Sequence, residues 1–135
     1  MIEINYVAVL VAAVVAFVVG FVWYNPKVFG TMWMRLAKVN PDSAEAKKMM
    51  TQSIVMGFVT TAISAYVLAH FVAVWGAADF IDAVQLGFWV WLGFVATVLL
   101  GGVLWEKKPI AVYIINAGHY LVTLLIMGAI LAIWT

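Results

Sequence analysis

AVQLGFWVWLGFVATVLLGGVLW, then EKK, then PIAVYIINAGHYLVTLLIMGAILAIW: residues 83–134 are two uncharged apolar runs hinged on Glu106, Lys107 and Lys108. A helix rises ~1.5 Å per residue and bilayer hydrocarbon is ~30 Å thick, so each run is long enough to span. Residues 4–24 and 51–75 form two more such runs, and none of the four contains Asp, Glu, Lys or Arg. In a chain of 135 residues that is 67% hydrophobic, no polar shell remains to cover four such helices in water. Lipid offers no partner to an unpaired amide, so at this composition each run must be a helix. The sequence predicts an all-α integral membrane protein, one up-down bundle of four transmembrane helices over residues 1–135.

The charges set its orientation. Lys27, Arg35, Lys38, Lys47 and Lys48 lie between the first and second runs, and Lys107 and Lys108 between the third and fourth. Residues 76–82, joining the second and third, carry Asp79 and Asp82 but no cation. Lys and Arg stay preferentially on the cytoplasmic side, which predicts an N-out, C-out chain. The first run is expected to be a retained helix rather than a signal peptide. Only Glu3 precedes it as a charge, and it ends in Trp23-Tyr24-Asn25-Pro26 rather than a small-residue cleavage site. With no cysteine, disulfides, thiolate metal sites and thiol nucleophiles are excluded. The net charge of +1 points to no nucleic-acid partner.

After Pro26 the pattern changes. Val28, Phe29, Met32, Trp33 and Leu36 recur at helical spacing, with Lys27, Thr31, Arg35 and Lys38 opposite. This predicts a short amphipathic helix in the cytoplasmic headgroup layer. Lys27, Arg35 and Lys38, together with Lys107 and Lys108, are its expected contacts with anionic lipid headgroups. An interfacial anchor explains the segment without a ligand; a docking surface for a protein or lipid partner is the functional alternative. Asn40-Pro41 reads as the N-cap and first turn of the second spanning helix, which would protrude into the cytoplasm. Trp23, Trp33 and Trp105 fall at the cytoplasmic interface, Trp75 and Trp134 at the outer one, as aromatic belts.

The three-residue loop at Glu106-Lys107-Lys108 predicts an antiparallel hairpin of the third and fourth helices. The short outer connection makes the second and third neighbours as well. Small residues recur every four positions at Ala12, Ala16 and Gly20, at Gly57, Thr61, Ala65 and Ala69, and at Gly93, Thr97 and Gly101. Such faces let helices approach closely in lipid. Three of them exceed what one bundle uses, which leaves room for a homo-oligomer.

The chemistry inside the membrane is sparse. Asn116, Tyr120, Thr123 and Met127 share one stripe of the last helix, flanked by Tyr113 and His119. A buried amide or imidazole needs a hydrogen-bond partner in hydrocarbon. The expected partners are Thr60, Thr61 and Ser64 on the second helix or Thr97 on the third. Interhelical bonding that fixes register is one reading of this set, and a polar cavity or lumen the other. His70 and His119 invite a haem or metal reading, but their depths differ by roughly 15 Å at ~1.5 Å per residue. No carboxylate or cysteine accompanies either, so no metal, no cofactor and no catalytic residue is expected.

Two segments carry a resemblance. Trp23-Tyr24-Asn25-Pro26-Lys27-Val28-Phe29-Gly30-Thr31-Met32-Trp33 resembles the aromatic-x-Pro-x-x-Phe-Gly-x-x-Trp segment of small bacterial membrane proteins, the domain of unknown function 1761 family. The last helix is similar as well, at Ile115-Asn116-Ala117-Gly118, Leu121-Val122 and Met127-Gly128-Ala129-Ile130-Leu131. The resemblance spans essentially the whole chain and implies a multi-pass protein of the bacterial inner membrane with no assigned activity. It also implies an aromatic residue where His119 stands, making His119 a local variant while Asn116 fits the pattern. Physically, Trp23, Tyr24, Asn25, Pro26, Phe29, Gly30 and Trp33 make sense as a structural corner, since proline cannot continue the first helix. A cytoplasmic gate of Tyr24, Asn25 and Trp33 is the rival idea.

The residues name no activity. They first suggest a non-enzymatic, self-associating structural or accessory membrane protein whose protein partner is unspecified. A small channel or carrier lined by the polar stripe of the last helix is the alternative. A lipid or cofactor binder using the aromatic groove near Trp23, Trp33 and Trp105 is the third reading.

Overall fold

The computed structural model describes residues 2–40 and 42–134, which form five helices. These are α1 (Tyr6–Trp23), α2 (Gly30–Ala37), α3 (Ala44–Trp75), α4 (Phe80–Leu104) and α5 (Ile110–Ile133). All but α2 are long and apolar enough to cross a bilayer, so the chain is a multi-pass membrane protein with a short non-spanning helix between the first two spans.

The helix ends follow local chemistry. The Asn5 side chain accepts from Ala8 N at 3.1 Å and caps α1. Ser43 Oγ does the same for α3, accepting from Ala46 N at 3.1 Å, with Glu45 in the first turn where the helix dipole favours an anion. This start lies beyond the expected one at Asn40-Pro41. The Asn40 side chain instead accepts from Asp42 N at 3.0 Å, a local turn that competes with capping, and Pro41 lies outside the described residues. At the other end, Gly76 has φ +74°, and the N–H groups of Gly76 and Ala77 fold back on Val72 O at 3.1 Å each. Glycine adopts that left-handed turn without steric penalty. With 32 residues, α3 is about 48 Å long, well over the hydrocarbon thickness, so its turns near Lys47 and Lys48 extend beyond it.

α5 is the centre of the bundle: α4, α1 and α3 all pack on it, and α1 also packs on α3. The hairpin of α4 with α5 forms as the three-residue loop demands. α3 and α4 differ from expectation, because they meet only lightly while each packs on α5. The small residues explain this. Ala12 and Ala16 of α1 are buried in one cluster with Ala65 and Ala69 of α3, so α3 is drawn against α1. The third small face stays unused: a Cβ on Gly93 would meet nothing within 4 Å, and Thr97 is exposed. α4 packs instead through Ala83, Leu86 and Gly87, before a wide π turn at Leu92–Ala96 re-phases the residues that follow.

Candidate functional site

At the end of α1 the chain turns sharply. Pro26 has no N–H to give, and Asn25 satisfies the turn: its backbone oxygen accepts from Val28 N at 2.8 Å and Gly30 N at 2.9 Å. Its side-chain oxygen accepts from Lys27 N at 2.9 Å, and Phe29 N reaches Trp23 O at 3.1 Å. Gly30 is buried so tightly that a Cβ there would collide with the Tyr24 carbonyl.

The corner is bolted to the first turns of α5. Trp23 Nε1 donates to Ile115 O at 3.0 Å, and the Tyr24 hydroxyl donates to Asn116 Oδ1 at 2.7 Å. Gly118 gives the Trp23 ring its space, since a Cβ there would stand 3.2 Å from it. These contacts bring Lys27, Arg35 and Lys38 to the same end of the bundle as Lys107 and Lys108, and all five are exposed. Lys108 pairs with Glu106 at 3.1 Å in an exposed position, worth little in water. The rings of Trp23 and Trp33 turn into the corner rather than outward, Trp23 at 4.8 Å from Phe29 and Trp33 at 5.6 Å from Tyr24. Trp105 is exposed to 85% and fits the belt.

The polar residues of the membrane interior are distributed otherwise than the sequence suggested. Asn116 meets Tyr24, not a hydroxyl of α3. Thr60 and Thr61 both donate to Gly57 O in their own helix, at 2.9 and 2.8 Å, and Thr97 donates to Gly93 O at 2.8 Å. Back-bonding of this kind is the usual fate of a threonine with no better acceptor nearby. Thr123 likewise bonds to His119 O and Tyr120 O at 3.0 and 3.1 Å. Two α5 bolts were missed altogether. Trp91 Nε1 donates to Ala117 O at 2.8 Å, and the Tyr113 hydroxyl donates to Ala96 O at 2.9 Å, where the π turn disturbs the helical ladder. A signal for the Tyr24 contact did exist: Tyr24 and Asn116 both lie within two turns of the cation-bearing end.

His119 points toward α1. A Cβ on Gly20 would stand 3.3 Å from its Nε2, and the imidazole is enclosed by Tyr120 at 5.0 Å, Tyr24 at 5.2 Å and Trp23 at 6.3 Å. Both its nitrogens are buried without a hydrogen-bond partner, and so is Trp33 Nε1. Among the described residues these are the only buried side-chain polar atoms left unpaired. Leaving a buried donor or acceptor unmade costs about 1–3 kcal/mol, so three together mark a place to explain.

All three atoms belong to residues lining one groove of about 910 Å³. Its mouth lies at the cation-bearing end, between α2 and the start of α3, beside Asn40, Ser43 and Glu45. It runs inward along Ser53, Gly57, Thr60, Thr61 and Ser64 of α3, facing Phe17 and Gly20 of α1, to His119 and Tyr120. There it meets a second cleft of about 280 Å³ between α3 and α4, which shares Ala16, Thr61, Ser64, His119 and Tyr120 with it. Of the sequence-selected polar residues, His119, Tyr120, Thr60 and Ser64 come together on the groove, and Thr123 lines the second cleft. Asn116 and Thr97 do not line either. His70 stands apart, its Nδ1 2.9 Å from Tyr66 O. Among the described residues no three His, Cys, Asp or Glu side chains gather as metal ligands.

A family model described as Protein of unknown function (DUF1761) matches residues 7–132 of the chain. No curated protein and no solved structure matches it.

Proposed function

The chain belongs to the DUF1761 family, which brings no assigned activity with it, and we propose that it is a non-enzymatic protein of the bacterial inner membrane that holds a lipid-like amphiphile in the groove between α1, α2 and α3. One observation carries this reading. The groove passes without a break from a polar mouth to a buried, unpartnered imidazole, and its volume of about 910 Å³ falls in the range of ligand sites. Its walls are mostly apolar with a few hydrogen-bonding groups, which is the composition that receives an amphiphile. The non-enzymatic part is supported by the surroundings of His119: no acid, hydroxyl or thiol is hydrogen-bonded to its ring, so no nucleophile–base pair is assembled there. Lys27, Arg35, Lys38, Lys107 and Lys108 stand exposed around the same end and suit anionic headgroups of the surrounding bilayer.

The test is retention. Chain purified in mild detergent should carry one amphiphile per polypeptide in native mass spectra, and Ser64→Trp, which fills the groove, should remove it. A wild-type chain that carries none, even after incubation with total membrane lipid, would sink the reading.

A second reading, self-association, draws on the small-residue face of α4. Gly93 has open space where a Cβ would stand, and Phe94 and Val98 beside it are exposed to 70% and 69%. For the channel alternative, Tyr120, Thr60, Thr61 and Ser64 line the groove and Thr123 the adjoining cleft, while Asn116 lies off both and is engaged by Tyr24.

A further inference from the structure

We infer that a cup between the cation-bearing ends of α4 and α5 is a site for one zwitterionic phospholipid with a primary ammonium head, of the phosphatidylethanolamine type. The cup has a volume of about 420 Å³, within the range of ligand sites, and shares no lining residue with the groove of α1, α2 and α3. The two sites therefore stand or fall separately.

The loop between the two helices builds the rim. Lys107 has φ +55°, in the left-handed region that a side chain seldom adopts, and this turn returns the Lys108 N–H to Gly102 O at 3.0 Å. The side chains of Lys108 and Glu106 then fold back over Gly102: a Cβ there would stand 3.4 Å from Lys108 Cδ and 3.7 Å from Glu106 Oε2. Both line the cup, with the exposed Trp105 beside them. Among the described residues theirs is the only ion pair, and in the open it is worth little, so it yields to a ligand that offers each member an opposite charge. A purely anionic head gains at Lys108 and loses at Glu106. A zwitterion satisfies both, with its phosphate at Lys108 and its ammonium at Glu106 against the face of Trp105. A primary ammonium also donates hydrogen bonds to the carboxylate, which a choline head cannot.

Asn116 supplies the deeper contact. Its Oδ1 is held by the Tyr24 hydroxyl, and Tyr24 is not part of the cup. That bond fixes the orientation of the amide and leaves its NH2 edge, two donors, without a partner in the chain. Unlike the nitrogens of His119 and Trp33, this group is not closed off from outside, and Asn116 lines the cup. It lies about 9 Å along α5 from Ile110, at ~1.5 Å per residue, on the membrane side of the loop. A phospholipid seated with its head at the rim hangs its ester carbonyls on that side of the phosphate, and a carbonyl accepts what the amide donates. The Tyr113 hydroxyl on the same wall is already engaged by Ala96 O. Val98, Leu99 and Val112 continue the wall as apolar surface, along which acyl chains leave for the bilayer.

An open cup exchanges its lipid during purification, so the experiment adds lipid back. The full-length chain in mild detergent, and its Ser64→Trp variant with the groove filled, are titrated with dioleoyl-phosphatidylethanolamine, -phosphatidylglycerol and -phosphatidylcholine and read by native mass spectrometry. The expected result is a saturable one-to-one phosphatidylethanolamine adduct in both chains, roughly fivefold tighter than that of either other lipid. Glu106→Gln should weaken it by a similar factor while phosphatidylglycerol binds as well as before or better. Gly102→Leu keeps every charge but fills the cup, and should abolish the adduct. Lys38→Gln, an exposed cation outside the cup, should change nothing. No adduct, or phosphatidylglycerol or phosphatidylcholine bound as tightly as phosphatidylethanolamine, overturns the inference. So does an adduct indifferent to Glu106→Gln and Gly102→Leu. An adduct lost with Ser64→Trp would put the lipid in the groove and remove the cup as its site.

Discussion

The Tyr24 hydroxyl and the Asn116 amide oxygen are 2.7 Å apart across 92 positions of sequence, and this bond joins the corner after α1 to the second turn of α5. A phenol stays protonated at neutral pH, so Tyr24 donates and Asn116 Oδ1 accepts. Tyr24→Phe should lower stability by about 1 kcal/mol, because the amide oxygen is left without its donor. Asn116→Leu should cost a similar amount, and the double variant less than the sum of the two. Equilibrium unfolding in detergent measures the cycle. Strict additivity would mean that the contact carries no energy.

Gly30 allows a sharper test of the corner. A Cβ there would run into the Tyr24 carbonyl, and backbone cannot step aside as a flexible side chain can. Gly30→Ala should destabilise the fold by on the order of 3 kcal/mol, the upper range for overpacking. Gly93→Ala should be neutral or slightly stabilising, since that site is open and alanine is the better helix former. Comparing the two thermal midpoints in one detergent separates a steric requirement from a general sensitivity of glycines.

How much of this was legible in residues alone depends on the range of the interaction. The four spans are legible because a charge-free run is a local property that lipid enforces along its whole length. Asn116 was legible as a buried amide needing a partner, but Tyr24 lies far away in sequence, and α3 hydroxyls at compatible depth looked equally suitable. Trp23 and Trp33 were placed in an interfacial belt because position along a helix gives depth, not the direction in which a ring points. The inward turn of Trp23 depends on the space left by Gly118, a tertiary fact. The π turn at Leu92–Ala96 left no compositional trace, and with it went any means of foreseeing that Gly93 and Thr97 would face away from the bundle. The small-residue pattern did indicate one face more than the bundle needs, but not which one.

Orientation follows from the cations and can be read directly, because the chain has no cysteine of its own. Ala78 and Lys107 are both exposed and lie in loops at opposite ends of α4. In intact cells Ala78→Cys should react with a membrane-impermeant maleimide, whereas Lys107→Cys should react only after permeabilisation. The reverse pattern would place the lysine-bearing loops outside and overturn the N-out, C-out assignment.

The open face of α4 bears on assembly. Helices associate in lipid where small residues let backbones approach, and on this face Gly93 has no neighbour within the chain and Thr97 is exposed. If two copies meet there, Gly93→Cys should give a disulfide-linked dimer in oxidised membranes, while a cysteine at Ala13, buried at 0% exposure on α1, should give none. Gly93→Leu should abolish the dimer without lowering the stability of the single chain, because the side chain leaves the helix from a Cβ with nothing within 4 Å. That separation matters, since a variant that both unfolds and dissociates would say nothing about the seam. Light scattering of the wild-type chain in mild detergent sets the baseline, and a monomer at every concentration, with no cross-link from Gly93→Cys, would remove α4 as an interface.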